Sequence, residues 1–200
     1  MTASAVVFDI GGVLIDWQPH LAWAPELGTA GARNFIHRTG FLSLNMRADA
    51  GERFADLARE ATDPEDAARI AAYVDLYPRT VPGVIPGTWE VLERLRATGT
   101  AVHAITNWSA ETWPRGLTVH PRLGTAFDTL VVSGREGIMK PDRRIFELLC
   151  TRAGVAAADC VFIDDGAHNV AGAKAAGMDA IHFTDAEALA DALRTRGFAV

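Results

Sequence analysis

VVFDIGGVL, residues 6–14, is an apolar run that suits a buried strand, a carboxylate where the strand stops, and a Gly-Gly pair that suits a tight turn. Working outward from it, runs of similar length and composition occur at Ala101–Ile105, Thr129–Val132, Cys160–Ile163 and Ala180–Phe183, beside the first at Ala5–Phe8. Helical patterns precede the later runs. Thr88–Thr98 carries Val91, Leu92 and Leu95 on one face and stops at Gly99; Asp142–Ala153 does the same with Ile145, Phe146, Leu148 and Leu149 before Gly154; Asn169–Ala176 is Ala-rich and ends at Gly177. Strand and helix in alternation predict an α/β fold, a doubly wound parallel sheet with right-handed crossovers.

From Asp16 to Pro82 that alternation stops. Helical patterns at Glu52–Thr62 and Glu65–Tyr77 have no convincing strand between them, so this stretch reads as a helical insert. Its expected hinges are Asp16-Trp17-Gln18-Pro19 and the segment Pro82 to Gly87. The expected domains are therefore a core of residues 1–15 and 83–200 and an insert of residues 16–82.

Composition narrows the function. The chain has 200 residues, 49% hydrophobic and 22% charged, with a net charge of -6 and a pI near 5.5. An acidic chain without a basic patch argues against nucleic acid or anionic lipid and leaves a small molecule as the expected partner. Cys150 and Cys160 lack metal-type spacing and read as free thiols. No signal peptide is visible, and the apolar runs fall far short of the roughly 20 residues that span a bilayer, so a soluble, cytoplasmic protein is expected.

In open α/β sheets ligands gather beyond the carboxyl ends of the strands. The residues there are Asp9, Thr106-Asn107, Ser133 and Asp164-Asp165, with Lys140 reaching in from a loop before a helix. Crowded carboxylates repel one another, and a hard divalent cation such as Mg²⁺ relieves that repulsion. With cation and lysine neutralising a phosphoryl group, Asp9 is placed to attack phosphorus.

VVFDIGGVL, AITNW (residues 104–108), GIMKP (137–141) and VFIDDGAHNVAGAKAAG (161–177) resemble, in order, motifs I to IV of the haloacid dehalogenase superfamily. The resemblance implies a Rossmann-like core with strand order 5-4-1-2-3, the Asp9 strand lying between those that bear Thr106 and Asp165, and a small helical cap of the C1 type. FDIGGVLIDW with TN and WP and FIDD with HN is similar to the branch containing α-D-glucose-1-phosphate phosphatases. It implies Asp9 as nucleophile and Mg²⁺ ligand and the Gly11 carbonyl as a second ligand. Asp165 then ligates directly, and Asp164 ligates or holds a bound water. Thr106 and Asn107 bind phosphoryl oxygens, Lys140 pairs with phosphate and Asp9, and Asn169 supports the metal shell. Trp17 and Trp108, each beside a motif, are expected to shape the pocket, whereas Trp23 and Trp113 are expected in the core or cap interface. The alternative reading of Thr106 is as a cap of the following helix, which is compatible with phosphate binding because both use a helix N-terminus. Asp16 reads as a turn residue, and His168 as the one histidine in the metal-loop segment.

The expected function is a Mg²⁺-dependent phosphatase acting on a small phosphorylated metabolite, a sugar phosphate by preference, through an aspartyl-phosphate. One departure stands out. Many phosphatases of the superfamily carry Asp two residues after the nucleophile as general acid and base, where this chain has Gly11. A 2-haloacid dehalogenase is disfavoured by the paired acids, whose charge repels a haloacid carboxylate. A receiver domain is disfavoured because its acidic pair and acceptor come in the opposite order. A phosphometabolite-binding protein without turnover is the remaining alternative.

Overall fold

The computed structural model describes residues 3–200. Five parallel strands form the main sheet: β1 (Ala5–Phe8), then β4 (Ala101–Thr106), β5 (Thr129–Val132), β6 (Cys160–Asp164) and β7 (Asp179–His182), in spatial order β5-β4-β1-β6-β7. Counting these five along the chain, the order is 3-2-1-4-5, the expected order read from its other edge. The strand that Asp9 follows lies between those ending at Thr106 and Asp164, with Phe8 in register with Ala104 and Ile163. β1 is wholly buried, as expected of a strand covered on both faces.

Helices α6 (Thr88–Ala97), α7 (Trp113–Val119), α8 (Ser133–Glu136), α9 (Arg143–Ala153), α10 (Ala167–Ala175) and α11 (Ala186–Thr195) complete the core. The sheet separates two apolar layers. On one side Ile145, Phe146 and Leu149 of α9 pack with Val7 and Phe162; on the other Val91, Leu92 and Leu95 of α6 pack with Val6 and Phe8. Asp142 caps α9 by accepting from the Arg144 N–H at 2.9 Å, and Gly154 ends it.

Between β2 (Ile15–Asp16) and β3 (Gly83–Val84) lie five helices: α1 (Ala24–Arg38, kinked at Gly28), α2 (Phe41–Asp49), α3 (Phe54–Leu57), α4 (Pro64–Ala71) and α5 (Tyr73–Leu76). The sequence pattern does not single out α1 or α2. The expected helix over 52–62 shortens to α3 and a following 3-10 turn, and the one over 65–77 breaks at Ala72. Where the hinge segments are read as turns the structure has the antiparallel β2–β3 pair, which starts one residue before the first segment, with Ile15 opposite Val84 and Asp16 opposite Gly83. The Gln18 N–H donating to the Thr80 carbonyl at 2.7 Å ties the same ends together.

The insert has its own aromatic centre. Trp23 lies 4.6 Å from Phe35, 4.8 Å from Phe41 and 5.3 Å from Tyr73, between ring centroids. The series continues through Tyr77 to Trp108, 5.4 Å apart, and on to Trp113. One continuous apolar cluster thus joins insert to core, and such rings hold their neighbours through large buried area and edge-to-face contact. Gly116 permits the join, because a Cβ there would lie 2.5 Å from the Trp108 ring.

Candidate active site

The turn after β1 is built by the Gly-Gly pair. Gly12 has φ +76, and a Cβ on it would stand 2.4 Å from an oxygen of Asp165, so glycine lets the β6 acid approach the β1 turn. Asp9 is buried, and its Oδ1 accepts from the Ile10 N–H at 2.6 Å and from Lys140 Nζ at 2.8 Å. Oδ2 has no protein donor among the described hydrogen bonds.

Lys140, alone in sequence an ordinary surface residue, is completely buried. Its ammonium donates to Asp164 Oδ2 at 2.6 Å as well as to Asp9, and sits 5.4 Å from the centre of the Phe162 ring. Asn107 sets its backbone: Asn107 Oδ1 accepts from the Lys140 N–H at 2.8 Å, and Asn107 Nδ2 donates to the Lys140 carbonyl at 3.0 Å. Burial alone would lower the lysine, but the Asp9 and Asp164 carboxylates hold it above its ordinary value. Burial pushes the Asp9 carboxyl up against the pull of Lys140. Additional positive charge at this place would bring Asp9 back to the ionised form that a nucleophile requires.

Asp164 Oδ1 accepts from the Gly166 N–H at 2.8 Å and from Asn169 Nδ2 at 3.0 Å, so the first acid of the pair is fixed on every side. Asp165 reaches the surface and lines the cavity; burial and the Asp164 charge raise its carboxyl. Oxygens of Asp9, Asp164 and Asp165 lie within 4.8 Å of one another. An all-carboxylate set suits a hard divalent cation, and Asn169 Oδ1, buried with no hydrogen-bond partner among the described residues, leaves an acceptor beside it.

These groups open into a cavity of about 330 Å³, lined among others by Asp9, Gly11, Asp16, Trp17, Asn107 and Asp165. Thr106 ends β4 but is itself buried, and His168 does not line the cavity. The alternative reading of Thr106 as a helix cap does not hold: residues 107–112 intervene, and α7 starts at Trp113. Trp108 does line the cavity, while Trp23 and Trp113 are core residues as expected.

The sequence reading misses the insert's share of this cavity, Asn45, Asp49 and Tyr77, together with Thr112. Asp49 ends α2 and is buried. Its carboxylate accepts from Asn45 Nδ2 at 2.9 Å, and its carbonyl accepts from Ser133 Oγ at 2.6 Å. Ser133, which the sequence places in the crevice, thus holds the end of α2; it also accepts from the Trp108 N–H at 3.0 Å.

A profile of the haloacid dehalogenase-like hydrolase family matches residues 3–177. Among curated relatives, the sesquiterpene phosphatase astK of Aspergillus oryzae is 26% identical over 96% of each chain. Phosphatase MT3486 of Mycobacterium tuberculosis is 30% identical over 90% of this chain and 87% of its own. A solved HAD family enzyme of Bacteroides thetaiotaomicron, bt-2542 in complex with magnesium and inorganic phosphate, has the same fold, with TM-score 0.67 at 17% identity over 92% of this chain and 95% of that one. The chain belongs to the haloacid dehalogenase-like hydrolase family. Within that family it is an enzyme of the phosphoric monoester hydrolase kind. Among the described residues no helix is long and apolar enough to cross a membrane.

Proposed function

We propose that the protein is a Mg²⁺-dependent phosphatase of a small phosphorylated metabolite, with a sugar phosphate favoured, working through an aspartyl-phosphate on Asp9. The observation that carries this reading is the buried Lys140 ammonium between Asp9 and Asp164, with Asp165 at the mouth of the same cavity. Asp9, the Gly11 carbonyl, Asp164 and Asp165 would hold Mg²⁺, which when bound supplies positive charge for phosphoryl oxygens.

The protein's own groups do the rest. Lys140 fixes Asp9 through Oδ1, and Oδ2 attacks phosphorus as the bond to the leaving oxygen breaks. Thr106, Asn107 and Lys140 receive the phosphoryl oxygens, and water then attacks the aspartyl-phosphate at phosphorus to release phosphate and restore Asp9. The cavity lies near the small end of the ~300–1,000 Å³ of ligand pockets, which supports a compact substrate. Trp17, Tyr77 and Trp108 offer ring surface, and Asp16 and Asn45 offer polar atoms, a combination suited to a polyol.

The test is phosphate release from sugar phosphates, acyl phosphates and nucleotides, with Mg²⁺ and with EDTA, beside chloride release from 2-chloropropionate. Metal-dependent release of phosphate alone is expected. Chloride release, or binding of phosphate esters with no turnover, would overturn the reading.

A further inference from the structure

Gly11 leaves the nucleophile's turn without the carboxyl group that would protonate a departing alkoxide. The structure shows open room there: an added Cβ at Gly11 would meet nothing within 4 Å, and the residue lines the cavity. Reaction at phosphorus still requires a proton for a basic leaving oxygen and a base for the incoming water, so another group must face the same space.

Four carboxylates line the cavity: Asp9, Asp16, Asp49 and Asp165. Asp9 is the nucleophile and Asp165 belongs to the cation site in the reading above. Asp16 is half-exposed in the hinge, and its carboxylate is engaged by Gln18 Nε2. Asp49 is different. It is 8% exposed and has no ion-pair partner among the described residues, since Lys140 is committed to Asp9 and Asp164. Its carboxylate accepts from Asn45 on its own helix, and neither that amide nor the neighbouring Ser109 backbone carries charge. A buried acid without a counter-ion is costly to the fold, and one that borders a cavity belongs with groups that handle protons.

We propose that Asp49, supplied by the insert, is the general acid and base of the reaction and takes the place of the carboxyl group absent at Gly11. The proposal rests on the reading of Asp9 as nucleophile. In the first step the Asp9 oxygen bonds to phosphorus, the bond from phosphorus to the substrate oxygen breaks, and the protonated Asp49 carboxyl gives that oxygen its proton, so the alcohol leaves neutral. In the second step the Asp49 carboxylate takes a proton from water as the water oxygen bonds to phosphorus, the bond from phosphorus to the Asp9 oxygen breaks, and phosphate leaves. Asp49 is then protonated again for the next turnover. Burial, which pushes this carboxyl up to about 7, favours both states near neutrality.

The design also explains the ties to α2. Ser133 and Asn45 fix the backbone and side chain of Asp49, and the Glu111 carboxylate accepts from the Phe54 N–H at 2.7 Å, anchoring the segment that follows. Catalysis would then require the insert to be docked.

The test compares wild type, Asp49→Asn, Asp49→Glu and the double variant Gly11→Asp with Asp49→Asn, on an alkyl phosphate and on aryl phosphates of graded leaving-group pKa. Asn keeps the shape and an acceptor for Asn45 and cannot carry the proton. Asp49→Asn should lose about 10²–10⁴-fold in kcat/KM on the alkyl phosphate and only a few-fold on p-nitrophenyl phosphate. Its dependence on leaving-group pKa should steepen, and p-nitrophenol should appear as a burst followed by slow turnover, because attack of water has lost its base. Asp49→Glu should retain part of the alkyl activity, and the added Gly11→Asp should restore at least tenfold of what Asn removes. An equal loss on every substrate, an unchanged slope, or no burst would overturn the role of Asp49. A wild-type enzyme that never phosphorylates Asp9 would instead overturn the reading beneath it.

Discussion

The two walls of the cavity are built on different principles. On the core side the buried charges are paired: Lys140 holds the Asp9 and Asp164 carboxylates, Asn107 grips the lysine backbone with both ends of its amide, and Asn169 and Gly166 hold Asp164, while Asp165 stands at the mouth. On the insert side aromatic packing dominates, and Asp49 stands among uncharged donors. The first wall is a charge network whose members cannot be changed singly. The second is a hydrophobic scaffold that presents a few polar groups, and those can vary without disturbing the nucleophile. The difference separates the phosphoryl chemistry, set at the strand ends, from substrate fit and proton transfer, set by whatever the insert presents.

Removing one member of the network should have the largest effect. Lys140→Met leaves Asp9 and Asp164 buried without their cation, and breaking a buried pair in this way costs about 3–5 kcal/mol. Chemical denaturation should show that loss together with loss of turnover on every phosphate ester. A variant as stable and active as wild type would show that the core wall is no more tightly coupled than the insert wall.

The pH dependence of Asp49 sharpens the comparison at smaller magnitude. Burial raises this carboxyl from 3.8 to about 7, so the folded protein binds more protons than the unfolded chain in that interval. Its contribution to stability is therefore complete below about 4 and is lost as pH rises through about 7. Around it stand Asn45, Ser109, Tyr73 and Tyr77, with Lys140 as the cation that acts on it among the described residues. Asp49→Asn should consequently gain thermal stability over wild type progressively from pH 4 to pH 8. In wild type, kcat/KM for alkyl phosphates should fall above about pH 7 as the acid loses its proton, and that limb should vanish in the Asn variant. A Tm difference independent of pH would contradict the burial-driven shift.

How much of this was legible follows from where each signal resides. Asp9, Asp164 and Asp165 announce themselves because they directly follow apolar runs, and the parallel sheet follows from strand and helix alternating around them. The burial of Lys140 is invisible locally, since its surroundings come from β1 and β6 and not from its own loop. β2 and β3, two residues each, are too short to show a period, and β7 begins one residue earlier than its apolar run because Asp179 pairs with Val161. Asp49 is the clearest case. Within Asn45-Met46-Arg47-Ala48-Asp49 the charges look like a solvated helix face, and only docking of α2 onto Ser133 turns one of them inward. A carboxylate contributed by an insert carries no strand-end signature.

The most direct test of the central claim is a single turnover with enzyme in excess in heavy-oxygen water, followed by mass spectrometry of the released phosphate and of the Asp9 peptide. Attack of water at phosphorus in an aspartyl-phosphate places the heavy oxygen in phosphate and leaves Asp9 unlabelled, and quenching before hydrolysis should trap a phosphoryl adduct on the Asp9 peptide. Heavy oxygen in the Asp9 carboxylate, with no phosphoryl adduct trapped on the Asp9 peptide, would mean that water attacks the acyl carbon of an alkyl ester intermediate. Labelled phosphate with no trappable adduct at any quench time, under conditions where hydrolysis limits turnover, would mean that water attacks the substrate directly. Either result would contradict Asp9 as the phosphoryl acceptor.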